Sequence, residues 1–347
     1  MNKNALINGD FQIWQRGVLF KNPGHLEHTV DRWNVDWNGA SNGAFQIVRE
    51  EFALGQTEVP GEPRYYARWE QLELGSGNTF RDFSQQIEGV RTLAGQTVTI
   101  SCYLRTSRKV DPQGHGVGRP PAVAPKETVH LVTEQFFGGG GSNGIRVNGV
   151  EGTGLFRTSD PFVVTGQWQR AVFTTTLHNI VGARIGPVGD DSLNVIISMR
   201  NNPANHVDSA NHLSSLDIAD VQIELGTVAT PFERLSVGRQ LSDCERYFQK
   251  SYDLDVKPGS PSYPGTENCR QNTEHNVMGV RFRKTMRRPP TVKLYNPASG
   301  AEGNWQSLAI PIVVSPGDVG TNGFHVDVAA GIPGEPLAGH WTANAEF

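Results

Sequence analysis

Residues 97–105, TVTISCYLR, alternate cleanly between apolar and polar positions. Val98, Ile100, Cys102 and Leu104 share one parity, and Thr97, Thr99, Ser101, Tyr103 and Arg105 share the other. A period of two sends these sets to opposite faces, which predicts a half-buried strand of an antiparallel sheet. The same period predicts strands at 44–52, 64–72, 128–136, 168–177 and 192–199. In LDIADVQIEL, 216–225, the alternation slips. Leu216 and Ile218 hold one parity, while Val221, Ile223 and Leu225 hold the other. One extra residue at Ala219–Asp220 accounts for the slip and predicts a β-bulge.

Gly- and Pro-rich stretches separate the strands, most plainly DPQGHGVGRPPAVAP at 111–125 and GGGGSNG at 138–144. These are expected to be surface loops. No βαβ rhythm is present, so about 230 residues of strands point to two packed antiparallel sheets, a jelly roll or related sandwich. One convincing helical segment follows. Ser236 is the preferred N-cap over a competing start in Thr230-Pro-Phe-Glu. Val237, Leu241, Cys244 and Phe248 then fall on a narrow apolar stripe over about four turns. Such a helix is marginal alone. Two readings stay open: the stripe packs on its own sandwich, or it meets its copies around a threefold axis. Beyond it, alternation returns in 278–282, TVKLY at 291–295, LAIPIVV at 308–314, GFHVDV at 323–328 and the terminal HWTANAEF. Because Phe347 is apolar, the C-terminus is expected inside a sheet. The expected organisation is therefore all-β: an N-terminal jelly-roll sandwich over 1–235, one short linking or oligomerisation helix over 236–252, and a small C-terminal β-domain over 253–347.

Composition narrows the function. The 347 residues contain 39 Gly and 21 Pro, and 37% are hydrophobic, which suits a turn-rich fold with a thin core. The net charge of −4 with both signs interspersed argues against a nucleic-acid partner. Cys102, Cys244 and Cys269 have no metal or disulfide spacing, and Cys102 and Cys244 sit at core-like positions. The opening MNKNALINGDF has no apolar signal segment and LAIPIVV is too short to span a bilayer, so synthesis in a cytoplasm without membrane insertion is expected. No nucleophile elbow, phosphate-binding loop or zinc-protease motif occurs. Glu50–Glu51 point to opposite strand faces and cannot pair as glycosidase carboxylates. Asp190–Asp191 fall in a turn. His25, Glu27, His28 and Asp31 in HLEHTVD lie on one short segment, which rarely supplies convergent metal ligands, and the expected reading is a polar loop without metal.

NALINGDFQIWQRG, followed by DRW at 31–33, resembles the start of a family of bacteriophage and prophage tail-appendage proteins. The resemblance continues through QQIEGVRTLAGQTVTISCYLR, FFGGGGSNG, TGQWQRAVFT and LDIADVQIELGTVATPFERLSVGRQLSDCERYF, the last being the most specific. VRFRKTMRRPPTVKLY and HWTANAEF resemble the distal β-domain of the same proteins. The match covers most of the chain apart from 107–127 and parts of 253–275. It implies a carbohydrate-binding-module-like jelly roll and a virion component, a tail fibre or fibre tip. That component would be a non-catalytic homotrimer attached to other virion proteins, contacting host-surface polysaccharide in adsorption. Two other classes compete: a structural adaptor or capsid decoration without glycan contact, and a depolymerase. The chain departs from the family in its 107–127 insertion and in the more basic RFRKTMRR, and it has no collagen-like, heptad or β-helical shaft.

The resemblance also suggests sites. Jelly rolls of this kind often hold a structural calcium, and Asp10 and Asp220 are the residues that could supply oxygens; the competing reading has Asp10 capping a turn and Asp220 satisfying the bulge. No other cofactor is expected. Sugar recognition favours an exposed aromatic platform. At least one of Trp37, Trp69 and Trp305 is expected to be exposed and to stack on sugar, with Tyr65 and Tyr66 as further candidates. For any single ring the competing reading is a place in the core. Trp14, Trp33, Trp168 and Trp341 are expected in the core. Arg281, Arg283, Lys284, Arg287 and Arg288 could grip an acidic polysaccharide, with Arg281, Arg283 and Arg287 on one face if a strand persisted through them. The competing reading is a charged strand edge that blocks association.

Overall fold

The computed structural model describes residues 3–37, 43–73, 80–108, 127–142, 154–200, 214–271, 276–328 and 333–347. The expected loop 111–125 and the end of GGGGSNG lie outside them. The chain divides into two compact units. Unit 1 comprises Met1–Gln12, Val18–Thr29 and Trp33–Arg234; unit 2 comprises Ile13–Gly17, Val30–Arg32 and Leu235–Phe347.

Unit 1 holds two antiparallel sheets. The first has the order β1 (Leu19–Lys21), β3 (Phe45–Glu51), β4 (Tyr65–Gln71), β12 (Ser214–Leu225), β6 (Thr97–Arg108), β10 (Gln169–Thr176). The second runs β2 (Asn34–Trp37), β5 (Phe80–Glu88), β11 (Ser192–Arg200), β7 (Glu127–Phe136), β8 (Gly154–Thr158), with β9 (Phe162–Val164) also on β7. The chain changes sheet at most connections, the path of a jelly roll. Parity sets the core. Val98, Ile100, Cys102 and Leu104 of β6 are inaccessible to solvent, as their alternation requires. Phe83 of the second sheet stacks on Trp33 at 5.2 Å between ring centroids, with Phe11 5.4 Å from Trp33. In β12 the pairing to β6 shifts between Ala219 and Gln222. Asp220 takes φ 49° there, so the expected bulge is present.

Unit 2 is built on a third antiparallel sheet. Its order is β13 (Phe248–Lys250), β20 (Pro336–Asn344), β17 (Asn304–Ser307), β18 (Ile310–Gly320), β19 (Gly323–Val328), β15 (Asn276–Arg281). β14 (Glu267–Arg270) and β16 (Thr291–Tyr295) also pair with β20. The C-terminal strand β20 is therefore the hub, and Ala343 and Ala345 are fully buried, as the terminal alternation predicts. Trp305, Trp341, Phe324 and Val326 lead the core.

The helix differs from expectation. α1 spans only Val237–Cys244, with the Ser236 side chain accepting from the Arg239 N–H as the expected N-cap. The apolar stripe is not one helical face. Val237 is exposed, Leu241 is half-buried, Cys244 is buried, and Phe248 belongs to β13, paired with Asn344. Strand pairing with β20 satisfies a row of backbone donors and acceptors that another helical turn would leave to solvent, and this overrides the 3.5-residue period. Phe248 is itself buried, which removes the lower half of the expected oligomerisation stripe. Among the described residues, no helix is long and apolar enough to cross a membrane.

Candidate functional site

Trp69 and Trp305 are core residues, the competing reading for each, and are removed as candidate platforms. Trp69 pairs across the first sheet with Ile47 and Leu216 and stacks on Phe45 at 4.7 Å. Trp305 is completely buried and donates its indole N–H to His340 O at 3.1 Å. Neither presents a ring face to solvent. Trp37 is partly exposed at the edge of the second sheet. Its register with Arg81 puts it on the Phe83 side, the core side. Tyr65 and Tyr66 are buried, and Tyr65 lies between the guanidinium groups of Arg49 and Arg64 at 4.5 and 4.7 Å. Trp14, Trp33, Trp168 and Trp341 are buried as expected.

The basic run is not a charged strand face. β15 stops at Arg281, and Pro289–Pro290 end any continuation. Arg283 pairs with Glu245 at 3.1 Å. Arg287 sits 3.8 Å over the Phe347 ring and donates to Ala345 O, while Arg288 donates to Glu346 O. Arg287 and Arg288 brace the C-terminal residues. Elsewhere, Glu50 and Glu51 each pair with arginine, Arg68 and Arg64 respectively. His25 pairs with Asp36 at 2.8 Å. Among the described residues, no group of three metal-ligating side chains occurs.

Unit 1 has two outward faces, one on each sheet. On the first sheet, Tyr66, Trp168, Val59 and Ala219 form a satellite cluster with Phe52 and Tyr103. Arg105 lies 4.7 Å over Trp168, and Asp217 accepts from both Arg68 and Arg105 at 2.6–2.7 Å. This face is closed on itself by its own ion pairs.

The second sheet offers a different surface. Register places Asn34, Asp36, Asp82, Ser84, Gln86, Asn194, Ser198, His130 and Glu134 on the face opposite Phe83, Leu131 and Ile197. An outward face of a sandwich is ordinarily solvated, yet Asp82, Ser84, Asn194 and Ser198 are all below a tenth exposed. The face is recessed, and mostly polar around a centre of Ile196 and Val132. Ser84 Oγ donates to Asn34 Oδ1 at 2.7 Å, Ser192 Oγ to Asn194 Oδ1 at 2.7 Å, and Ser198 to Asp82. At the β7–β8 end, Gln86, Asn194, Glu134 and Phe156 form one cross-strand row. Asn194 Nδ2 donates to Glu134 Oε2 at 2.8 Å. Phe156 is 44% exposed, a large ring held beside a carboxylate and an amide. Phe136 occupies the next row, opposite Gly154. A Cβ at 154 would lie 2.7 Å from Glu134 Cγ, so this glycine makes the room in which the carboxylate sits. Burial pushes Glu134 above the ordinary carboxylate range, the Asn194 hydrogen bond opposes it, and the Asp36 charge adds to it. Burial likewise raises Asp36 against the pull of His25. Sequence reasoning missed this row because it scanned tryptophan and tyrosine. The alternation of 128–136 carried the signal, since it puts Glu134 and Phe136 on the face opposite Leu131 and Thr133.

Asp10 and Asp220, the possible calcium ligands, do come together. Both are buried, and the charge of Asp10 acts on Asp220. The position between them is served by Arg234, whose guanidinium is 2.6 Å from Asp220 and 4.0 Å from Asp10. Burial raises Asp220 to about 6, with Arg234 opposing and Asp10 reinforcing. A carboxylate raised in the folded state stabilises most below its unfolded value near 3.8 and loses that contribution as pH rises through about 6. The unfolding free energy of unit 1 is therefore expected to fall by up to roughly 3 kcal/mol between pH 4 and pH 7 from this group. Asp220→Asn should flatten that slope in denaturant titrations at both pH values, and an unchanged slope would count against the assignment.

No protein-family model matches the chain, and no curated protein matches it in sequence. Among solved structures, the enzymatically active domain of tailspike protein 4 from bacteriophage CBA120 aligns with TM-score 0.34 and 9% identity, over 65% of this chain and 22% of that one. A CBM4 structure aligns with TM-score 0.33 and 15% identity over 63% of this chain and 98% of the other. The CBM22-2 xylan-binding domain of Paenibacillus barcinonensis Xyn10C gives 0.32 and 12%, over 60% and 99%. Likeness at this level carries no argument about function, which rests on the chain's own residues.

Proposed function

We propose that this protein recognises polysaccharide on the recessed outer face of the second unit 1 sheet, without cleaving it, as a virion appendage component contacting the host surface. The observation that carries the binding role is the exposed Phe156 ring in one row with Glu134 and Asn194. A sugar's C–H face stacks on an aromatic ring while its hydroxyls take hydrogen bonds from flanking polar groups, and this row supplies both. The virion setting is supported by the family-like motifs alone. Self-association belongs to the same reading, and exposed Val237 and half-buried Leu241 are the helix positions left to mediate it.

Phe156→Ala and Glu134→Gln are each expected to weaken binding to the cognate polysaccharide about tenfold, the value of one stacking or charge-assisted contact. Calorimetry against a panel of bacterial surface glycans checks this. A glycan bound equally by wild type and both variants would place recognition elsewhere. Release of reducing ends from a bound glycan would revive the depolymerase.

A further inference from the structure

In unit 2, β15, β19 and β18 lie side by side, with Val280, Phe324 and Val326 turned into the core. The opposite face is unusually bare. Register flanks His325 with Gly279 on one side and Gly317 on the other, and sets Arg281 opposite Gly323. A Cβ at Gly279 would lie 3.4 Å from the His325 ring, so a side chain there would fill the surface between Arg281 and His325, whereas the Asp327 carboxylate already occupies the space a Cβ at Gly317 would need. A depression of about 480 Å³ opens beside Gly279, lined by Gly279, Arg281, Asp318, Thr321, Asn322 and His325. That volume fits one or two sugar residues.

The lining is specific in its chemistry. Arg281 is exposed and makes no ion pair among the described residues, so its guanidinium fork is available for a planar carboxylate. His325 Nδ1 lies 3.3 Å from Asp318 Oδ2, a pair able to accept from and donate to neighbouring hydroxyls. The glycine floor lets a ring approach the backbone closely. Among the described residues no exposed Phe, Tyr or Trp ring lines the depression, and the exposed His325 imidazole is engaged by Asp318, so a neutral sugar finds little stacking face there. Asp318 opposes a compact multiply charged anion. We infer that this depression is a second saccharide site, one that takes an acidic sugar unit by its carboxylate. Arg281 holds the carboxylate, and Asp318 and His325 hold the hydroxyls. The inference stands apart from the unit 1 face: the two sites use different residues, and either can fail alone.

The test titrates the full chain with sodium D-glucuronate, D-glucose and inorganic phosphate, reading backbone amide shifts of Gly279, Gly317 and Gly323. Glucuronate should produce saturable shifts at these glycines. Its affinity should fall roughly tenfold or more in Arg281→Ala, where a charge-assisted pair is lost, and fall again on raising the salt. Asp318→Asn, at an exposed position, should also weaken it while leaving thermal unfolding unchanged. Phe156→Ala should leave it intact. Glucuronate shifts that are absent, that persist in Arg281→Ala, or that phosphate or glucose reproduces with equal affinity each overturn the assignment. None of these outcomes bears on Phe156 and Glu134.

Discussion

Gly339→Ala is expected to destabilise unit 2 by about 3 kcal/mol or more, at the upper end of what overpacking costs. A Cβ at this position would lie 2.1 Å from Trp305 Cδ1 and 2.2 Å from Cγ and Nε1. The clash has no easy relief. Trp305 is fully buried, tied to His340 O, and surrounded by the unit 2 core. Gly339 itself sits in β20, the strand on which β13, β14, β16 and β17 all depend. Trp305→Ala should cost about 3–5 kcal/mol through the cavity it leaves. The two changes should not add, because the vacated indole space is what the new methyl needs. A coupling of more than about 1 kcal/mol toward recovery is expected in the double variant. Hydrogen exchange of β20 amides isolates unit 2 from the rest of the chain. Strict additivity, or a Gly339→Ala cost below about 1 kcal/mol, would show that the sheet gives way more easily than this packing allows.

Trp305 also shows where the sequence was legible and where it was not. Its neighbours alternate weakly, so nothing local marks Trp305 as core. The glycine that receives its indole is 34 residues away on another strand. Period-two alternation, by contrast, is a local signal, and it located β4, β6, β7, β10, β16 and β19 to within a few residues. The slip in LDIADVQIEL was enough to place the bulge, because a parity change has few other causes in a strand. Strands with little alternation, such as β5, went unread: FRDFSQQIE carries polar side chains on the outward face and also at inward Arg81 and Gln85. The helix failed for a related reason. A run of four apolar residues at near-heptad spacing fits a helix, but a helix followed by a strand can share the same residues, and only long-range pairing with β20 decides between them. Phe156 was invisible because exposure of an aromatic depends on which row it joins across the sheet.

The motifs that carried the family resemblance have a structural meaning of their own. WQRG and the Asp31-Arg32 pair of DRW contribute to unit 2, where they meet RYF and the terminal EF. Asp31, Arg32 and Glu346 are buried. Arg16 bridges Asp31 and Glu346 at 3.4 and 3.2 Å, and Arg32 pairs with Glu346. Arg32 also lies 3.4 Å over the Tyr247 ring, and Arg16 lies 3.9 Å over Phe248. Lys250, buried alongside, donates to Gln15 O, Leu254 O and Val256 O at 2.7–2.8 Å. Burial drives it down to about 8. Such a network is costly to assemble and costlier to break, since each charge depends on a partner that water cannot replace. Arg32→Met should therefore cost about 3–5 kcal/mol, by leaving Glu346 short of a partner. The backbone sharpens the test. Arg32 has φ 73°, a conformation glycine adopts freely, so Arg32→Gly relieves strain while removing the same charge. If the charge network dominates, both variants are severely destabilised, and Glu346→Gln added to either recovers more than about 1 kcal/mol. If Arg32→Gly matches wild type in guanidinium unfolding, the turn geometry rather than the buried charges is what DRW supplies.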